Sequence, residues 1–161
     1  MADDVLPITV TVNGERQTKV VPVRQLLVHF LRDTLGKQGT HIGCDSGNCG
    51  ACTVICDGKA IKSCMQLAVQ ADECEIETVE GLSEPLGPQS ELQASFAKHH
   101  ALQCGYCTPG MLMSSKALLA EQPEPDEQAV RRGLKGNICR CTGYVNIVRA
   151  VQDAAGTLEQ G

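Results

Sequence analysis

The chain has 161 residues, a formal net charge of −5, 42 % hydrophobic residues and only four aromatics, Phe30, Phe96, Tyr106 and Tyr144. That composition suits a folded globular protein and argues against disorder. An acidic chain with so few stacking side chains also lacks the basic patch and the platforms of a nucleic-acid binder. The length fits one ordinary domain or two very small ones. Two small domains would have thin cores, and metal clusters can reinforce them, because metal binding to a folded site is also folding free energy.

The first ten residues, MADDVLPITV, show neither a basic n-region nor an apolar h-region. No apolar run approaches the roughly 18 residues of a membrane span. A cytoplasmic chain without a membrane span is therefore expected, in a compartment where clustered cysteines more often bind metal or do redox work than pair as disulfides.

Residues 8–13 alternate apolar and polar β-branched side chains up to Asn13-Gly14, a strong hairpin signal because a type I′ turn needs φ > 0 at both central positions. Residues 17–21 can return as the second strand. Leu26, Leu27, Phe30, Leu31 and Leu35 then recur at helical spacing, with Gly36 placed as the residue that ends the helix. Thr53–Cys56 and Lys59–Ser63 flank Asp57-Gly58 as a second hairpin, and Glu75–Val79 reads as a fifth strand. Two hairpins, a helix across them and a late strand describe a small α+β sheet domain.

The pattern changes after residue 81. Ser83–Ser90, rich in Pro, Gly and Ser, reads as a boundary loop. Everything beyond it is helical: Glu91–His100, then a helix with Thr108 as N-cap and Pro109 at N1, then one from Pro125-Asp126 to Gly136. A last helix carries Tyr144, Ile147, Val148, Val151, Ala154, Ala155 and Leu158 on one stripe. Residues 1–81 and 91–161 are thus expected to be separate domains joined by residues 82–90, the second a compact bundle of four short helices.

Eight of the ten cysteines fall into two sets, one in each half. Cys44-x4-Cys49-x2-Cys52 followed by Cys64 is the plant-type [2Fe–2S] spacing, in which four thiolates hold two bridged irons. Gly43, Gly47 and Gly50 let that loop turn tightly and aim N–H groups at the sulfurs. The second set is Cys104-x2-Cys107 and, after 31 intervening residues, Cys139-x-Cys141. Each of its pairs precedes a helix, an arrangement that would point helix N-termini at an anionic cluster.

Other uses of these cysteines fit less well. A zinc ribbon pairs two C-x2-C knuckles, but 51 residues separate Cys52 from Cys104, against the usual 15–20 or so. Zinc explains neither Cys44 nor the Cys139-Arg140-Cys141 pair. A thioredoxin-like site needs a βαβ context, and a Cys139–Cys141 bridge would be strained. Cys56 and Cys74 remain, read as small buried hydrophobes on strands without a function. With four thiolates in each set, His29, His41, His99 and His100 are read as structural or solvated rather than as ligands. The sequence holds no G-x-G-x-x-G and no P-loop.

Three stretches, Gly43–Val54 (GCDSGNCGACTV), Gln103–Gly110 (QCGYCTPG) and Gly136–Tyr144 (GNICRCTGY), resemble the iron–sulfur small subunit of the molybdenum hydroxylases, the xanthine oxidase family. The resemblance covers residues 7–158 in order. It implies a β-grasp, plant-ferredoxin-like domain and a four-helix domain, each with one [2Fe–2S] cluster. It also implies a large subunit carrying the molybdenum–pterin cofactor and a medium subunit carrying FAD, in a dimer of heterotrimers. On that pattern Gln103 and the backbone around Cys141 lie against the pterin. Cys104, Cys107, Cys139 and Cys141 then hold the proximal cluster, and Cys44, Cys49, Cys52 and Cys64 the flavin-side one. The chain would be a non-catalytic electron-transfer subunit. Gly39–Cys44 and Lys62–Gln70 look most like aerobic carbon monoxide dehydrogenase small subunits, and similar stretches serve N-heterocycles, aldehydes and aromatic thioesters. A free-standing ferredoxin shuttling between enzymes is the alternative; a helical domain wrapped around a cluster argues against it.

Overall fold

The computed structural model describes residues 4–84 and 86–157. Strands β1 (Val5–Val12) and β2 (Glu15–Pro22) form the expected hairpin, in antiparallel register from Val5 opposite Pro22 to Val12 opposite Glu15. Asn13 and Gly14 take φ of 50° and 82°, as a type I′ turn requires. Asp57 (47°) and Gly58 (78°) repeat the device between β3 (Thr53–Cys56) and β4 (Lys59–Lys62). Strand β5 (Glu75–Glu77) lies between the hairpins, parallel to β1 and antiparallel to β3, giving the order β2-β1-β5-β3-β4.

Both late strands end before the alternation does. Ser63 begins a 3-10 turn (Ser63–Met65), and Val79 begins another (Val79–Leu82). The side chain of Asn13 sets the second break by accepting from the Thr78 N–H at 2.8 Å. Val79 then leaves the sheet and packs against the helices. The first helix also departs from expectation. Leu27–His29 (α1) is α-helical, but Phe30–Thr34 is wound as a π-helix, with the Leu35 N–H reaching the Phe30 carbonyl at 3.1 Å. Gly36 does end it, at φ 71°.

Helix α2 (Glu91–Lys98) is capped by Ser90, α3 spans Thr108–Glu121, α4 (Glu127–Gly133) is capped by Asp126, and α5 spans Val145–Ala154. Helix α3 starts one residue earlier than expected. Cys107 is its N-cap, and the Thr108 hydroxyl has no partner among the described residues. Helix α4 stops three residues before Gly136. Ile147, Val148 and Val151 are buried as the α5 stripe predicts, whereas Leu158 lies outside the described residues. None of the described helices is long and apolar enough to cross a membrane.

Two cores result. Ile8, Val10, Val12, Leu27, Phe30, Leu31, Val54 and Ile76 pack between the sheet and the first helix. Phe96, Met111, Leu112, Val130, Ile147 and Val151 pack among the later helices. Strand β3 joins them: its four residues are all buried, Val54 and Cys56 in the first core and Ile55 against Met113 and Ala117 of α3. A strand covered on both faces reads as a continuous buried run rather than an alternation.

Asp153 ties α5 to α2. Its carboxylate accepts from Lys98 Nζ at 2.9 Å and Ser95 Oγ at 3.0 Å, with His99 Nε2 at 3.0 Å. The bond from Lys98, with His99 and Ser95 behind it, outweighs burial and holds the carboxyl at about 2. A carboxyl that titrates lower in the folded chain stabilises it above the unfolded pKa, about 4, and loses that contribution as pH falls toward 2. Asp153→Asn will therefore lower the unfolding midpoint at neutral pH. Its gap to wild type will close as pH drops from about 4 toward about 2, which paired thermal melts across that range will read.

Candidate metal centres

The loop before β3 gathers the first set. The Cys49 N–H donates to Cys44 Sγ at 3.2 Å, and the Cys52 and Cys64 thiols meet, Cys64 arriving in the 3-10 turn that follows β4. Gly47 and Gly50 take positive φ as expected. Gly43 does not: it supplies space, because a Cβ there would come within 2.9 Å of Cys49 Sγ. The electrostatics are uneven. Hydrogen bonds from Ser46, then the Cys49 N–H, hold the Cys44 thiol at about 6, whereas burial and the neighbouring Cys52 push Cys64 up to about 11.

The second set lies where α3 begins and the loop before α5 passes. Cys104 and Cys141 are exposed, with their sulfurs 3.6 Å apart. Cys107, at the α3 N-cap, meets buried Cys139. Burial, then Cys139, pushes Cys107 up to about 12. Burial works to raise Cys139 too, but bonds from the Thr142 hydroxyl and N–H outweigh it and the thiol is lowered. Gln103, exposed, donates to the Cys141 carbonyl at 3.2 Å. Only α3 meets this set directly with its N-terminus. Between the set and α5, Tyr144 takes a left-handed φ of 70° and its hydroxyl accepts from the Cys139 N–H at 2.9 Å.

Side chains meet in two pairs within each set: 44 with 49 and 52 with 64, then 104 with 141 and 107 with 139. Two thiolates on one tetrahedral metal at about 2.3 Å are about 3.8 Å apart, close to the Cys104–Cys141 separation. A single tetrahedral ion would draw all four sulfurs to that spacing. Among the described residues, no three sulfurs of either set lie within 4.8 Å of one another. Two metals per set, two thiolates each, is what this donor arrangement suits. A thiol must lose its proton to bind metal, so loading either set is favoured as pH rises.

The two sets are joined. The Ile138 N–H, next to Cys139, donates to the Cys49 carbonyl at 2.8 Å. Beside this link Asn137, 4 % exposed, uses its whole amide. Its Oδ1 accepts from Lys62 Nζ (3.0 Å) and Ser114 Oγ (2.9 Å), and its Nδ2 donates to the Gly50 carbonyl (3.2 Å) and Thr53 Oγ1 (3.4 Å). Tyr106 closes the other side, its hydroxyl donating to the Ile42 carbonyl at 2.7 Å and its ring stacked 4.7 Å from His41. The sequence flags none of Asn137, Lys62, Ser114 or the His41–Tyr106 clasp, although Asn137 and Tyr106 stand inside its cysteine motifs.

Lys62 is a half-buried cation beside the first set. Burial pulls its ammonium below the usual lysine value, and the Cys52, Cys49 and Cys64 thiolates work against that pull. A positive charge there favours the more negative, reduced state of whatever those thiolates hold. Lys62→Met will lower that centre's reduction potential by tens of millivolts, the scale of one charge in a medium of effective dielectric near 20. Lys62→Arg will largely restore it, and an EPR-monitored redox titration reads both.

The remaining candidates fall outside the two sets. Cys56 is buried on β3 as expected, but Cys74 is half-buried in the loop before β5, not on a strand. His29 lies 3.4 Å from Asp33, and His99 meets Asp153.

Comparison with known proteins gives two family matches. Residues 10–83 match a family described as a 2Fe-2S iron-sulfur cluster binding domain, and residues 78–152 one described as a [2Fe-2S] binding domain. The chain is 49 % identical over 155 residues to the nicotine 6-hydroxylase small subunit of Paenarthrobacter nicotinovorans, covering 96 % of this chain and 93 % of that one. It superposes on a chain of quinoline 2-oxidoreductase from Pseudomonas putida 86 with a TM-score of 0.91 and 48 % identity, covering 95 % and 94 %. It also superposes on the aldehyde oxidoreductase of Desulfovibrio gigas with a TM-score of 0.90 and 40 % identity, there covering 94 % of this chain but 17 % of that much longer one.

Proposed function

This chain belongs to the iron–sulfur small subunits of the molybdenum hydroxylases, and on that footing we propose that it is the wire joining a molybdenum–pterin site on a large subunit to FAD on a medium one. Cys44, Cys49, Cys52 and Cys64 hold the flavin-side [2Fe–2S] cluster, in a β-grasp domain of residues 1–81. Cys104, Cys107, Cys139 and Cys141 hold the proximal cluster, in a four-helix domain of residues 91–161, with residues 82–90 between. When bound, each cluster supplies a one-electron relay at a potential tuned by hydrogen bonds to its sulfurs. The carrying observation is the pairing of sulfurs two by two in both sets, with the Ile138–Cys49 hydrogen bond between them.

The exposed edge at Cys104 and Cys141 is flanked in sequence by Leu102, Ile138 and Val145, which are 39 %, 54 % and 48 % exposed. Large exposed apolar side chains beside a functional edge suit burial in a partner. Gln103 there positions the Cys141 carbonyl toward the pterin. Gln103→Ala will leave both clusters intact and weaken pterin retention or electron transfer from molybdenum; unchanged turnover would remove it from the site. The assembly is a cytoplasmic dimer of heterotrimers.

We take the substrate to be an N-heterocycle rather than carbon monoxide, an aldehyde or an aromatic thioester. The nicotine and quinoline relatives are 49 % and 48 % identical, against 40 % for the aldehyde enzyme. The residues that select it are on the large subunit.

Iron and acid-labile sulfide should each come out near four per chain. Native gel filtration should show the chain migrating with much larger subunits. Zinc without sulfide would end the reading; a lone chain carrying both clusters would favour the shuttle ferredoxin.

A further inference from the structure

The two cysteines left over by the cluster motifs are 18 residues apart in sequence, yet the fold brings them together. Among the described residues, Cys56, Asp57 and Cys74 are the one group whose metal-ligating atoms all lie within 4.8 Å of one another. Cys56 ends β3 and Asp57 opens the turn that follows. Cys74 stands in the loop before β5, which β3–β5 pairing holds alongside. We propose that these three side chains form a separate mononuclear site for a soft divalent cation, zinc above others, with a fourth position open to water.

The donor chemistry selects the ion. Two thiolates and one carboxylate match zinc's preference for sulfur with nitrogen or oxygen at 2.0–2.3 Å or so, and soft sulfur excludes magnesium and calcium. Tetrahedral ligands at those lengths stand roughly 3.5–3.8 Å apart, so donors already within 4.8 Å close on an ion by about 1.3 Å or less. Cys56 ends β3 and Cys52 stands just before its first residue, four residues or about 13 Å away along extended chain. The site therefore shares no ligand with the clusters.

The surroundings hold the donors in place. Asp57 Oδ1 accepts from the Glu75 N–H at 2.8 Å, an outer contact of the kind that orients ligating carboxylates. Cys74 is anchored through its carbonyl, which accepts from the Thr11 N–H at 3.1 Å, and Cys56 pairs with Lys59 across the hairpin. Cys56 is buried, Cys74 half-buried and Asp57 exposed, so an ion enters from the carboxylate side.

Without metal both sulfurs are protonated thiols. Burial raises Cys56, and burial with the neighbouring Asp57 and Cys56 pushes Cys74 up to about 12. Binding exchanges two S–H protons for one cation, leaving the protons with the buffer, so affinity rises with pH.

The test uses the assembled complex, incubated with zinc sulfate, freed of excess and challenged with a chromophoric chelator. Wild type will retain one more zinc per small chain than Cys56→Ser or Cys74→Ser, with iron unchanged in all three. Asp57→Asn keeps the turn, since asparagine tolerates its positive φ. It will weaken retention by more than the roughly 10–100-fold that losing an outer-shell partner costs. Equal zinc in wild type and both cysteine variants would overturn the proposal, as would zinc taken up only as iron is lost. A Cys56–Cys74 disulfide found by peptide mapping of the native complex would overturn it too. If the cysteine variants fail to assemble, Asp57→Asn retaining zinc as tightly as wild type overturns it alone.

Discussion

Cys104→Ala will remove one of the two cluster EPR signals, bring iron from about four to about two per chain, and stop substrate-driven flavin reduction. The count follows from two irons per cluster. Cys104 shares one half of its set with Cys141, at 3.6 Å, and both are exposed. Losing one thiolate opens that metal to water and leaves its partner thiol without the other donor. Among the described residues, the two cysteines outside the sets, Cys56 and Cys74, group with Asp57 rather than with this set. The Cys44 set keeps its own pairs, so its signal should survive. Stopped-flow bleaching of the flavin, with an acceptor that draws directly on molybdenum as control, separates a cut wire from a dead active site. Flavin reduction at the wild-type rate would show that this set is not on the path.

What the sequence made legible is what local chemistry encodes. Asn13-Gly14 and Asp57-Gly58 announced both hairpins because few residues accept positive φ at two successive positions, and both pairs do so. The cysteine sets were legible because their members crowd into short loops, where the fold brings thiols together. Other features depend on partners distant in sequence. Nothing around Val79 signals that β5 ends at Glu77; the Asn13 side chain, 65 residues away from Thr78, decides it. The π-winding of Phe30–Thr34 leaves the same apolar spacing as an α-helix over so short a run. Cys107 displaced Thr108 as the α3 cap, against the usual preference for a hydroxyl, and it caps without a side-chain bond. Cys56 and Cys74 looked like unrelated strand thiols until β3–β5 pairing set them side by side. The junction of the two cysteine sets was the least legible part, since Asn137, Lys62 and Ser114 come from three separate segments.

Gly110→Ala will damage that junction. Gly110 lies in the first turn of α3, three residues after Cys107, and is buried. A Cβ there would stand 2.1 Å from the Gly50 carbonyl oxygen and 3.1 Å from the Ala51 Cα. Both neighbours are backbone, so no flexible side chain can swing aside. The Gly50 carbonyl is also held by Asn137 Nδ2 and Thr53 Oγ1. Gly50 itself has no room to retreat, because its own missing Cβ points at the Gly136 carbonyl, 2.3 Å away. The three motif stretches thus meet backbone to backbone, and a methyl between them must push α3 off the cluster loop. Overpacking of this kind costs about 3 kcal/mol or more where nothing yields. In a chain of this size that lowers the unfolding midpoint by roughly 6–12 °C. The Ile138–Cys49 hydrogen bond crosses the same contact. Electron transfer between the two clusters should therefore slow even in the fraction that folds and keeps four irons. Thermal melts report the first effect, and the lag between the two EPR signals after rapid reduction and freeze-quench reports the second. A variant with wild-type midpoint and wild-type lag would mean that the close approach of Gly50 and Gly110 holds nothing together.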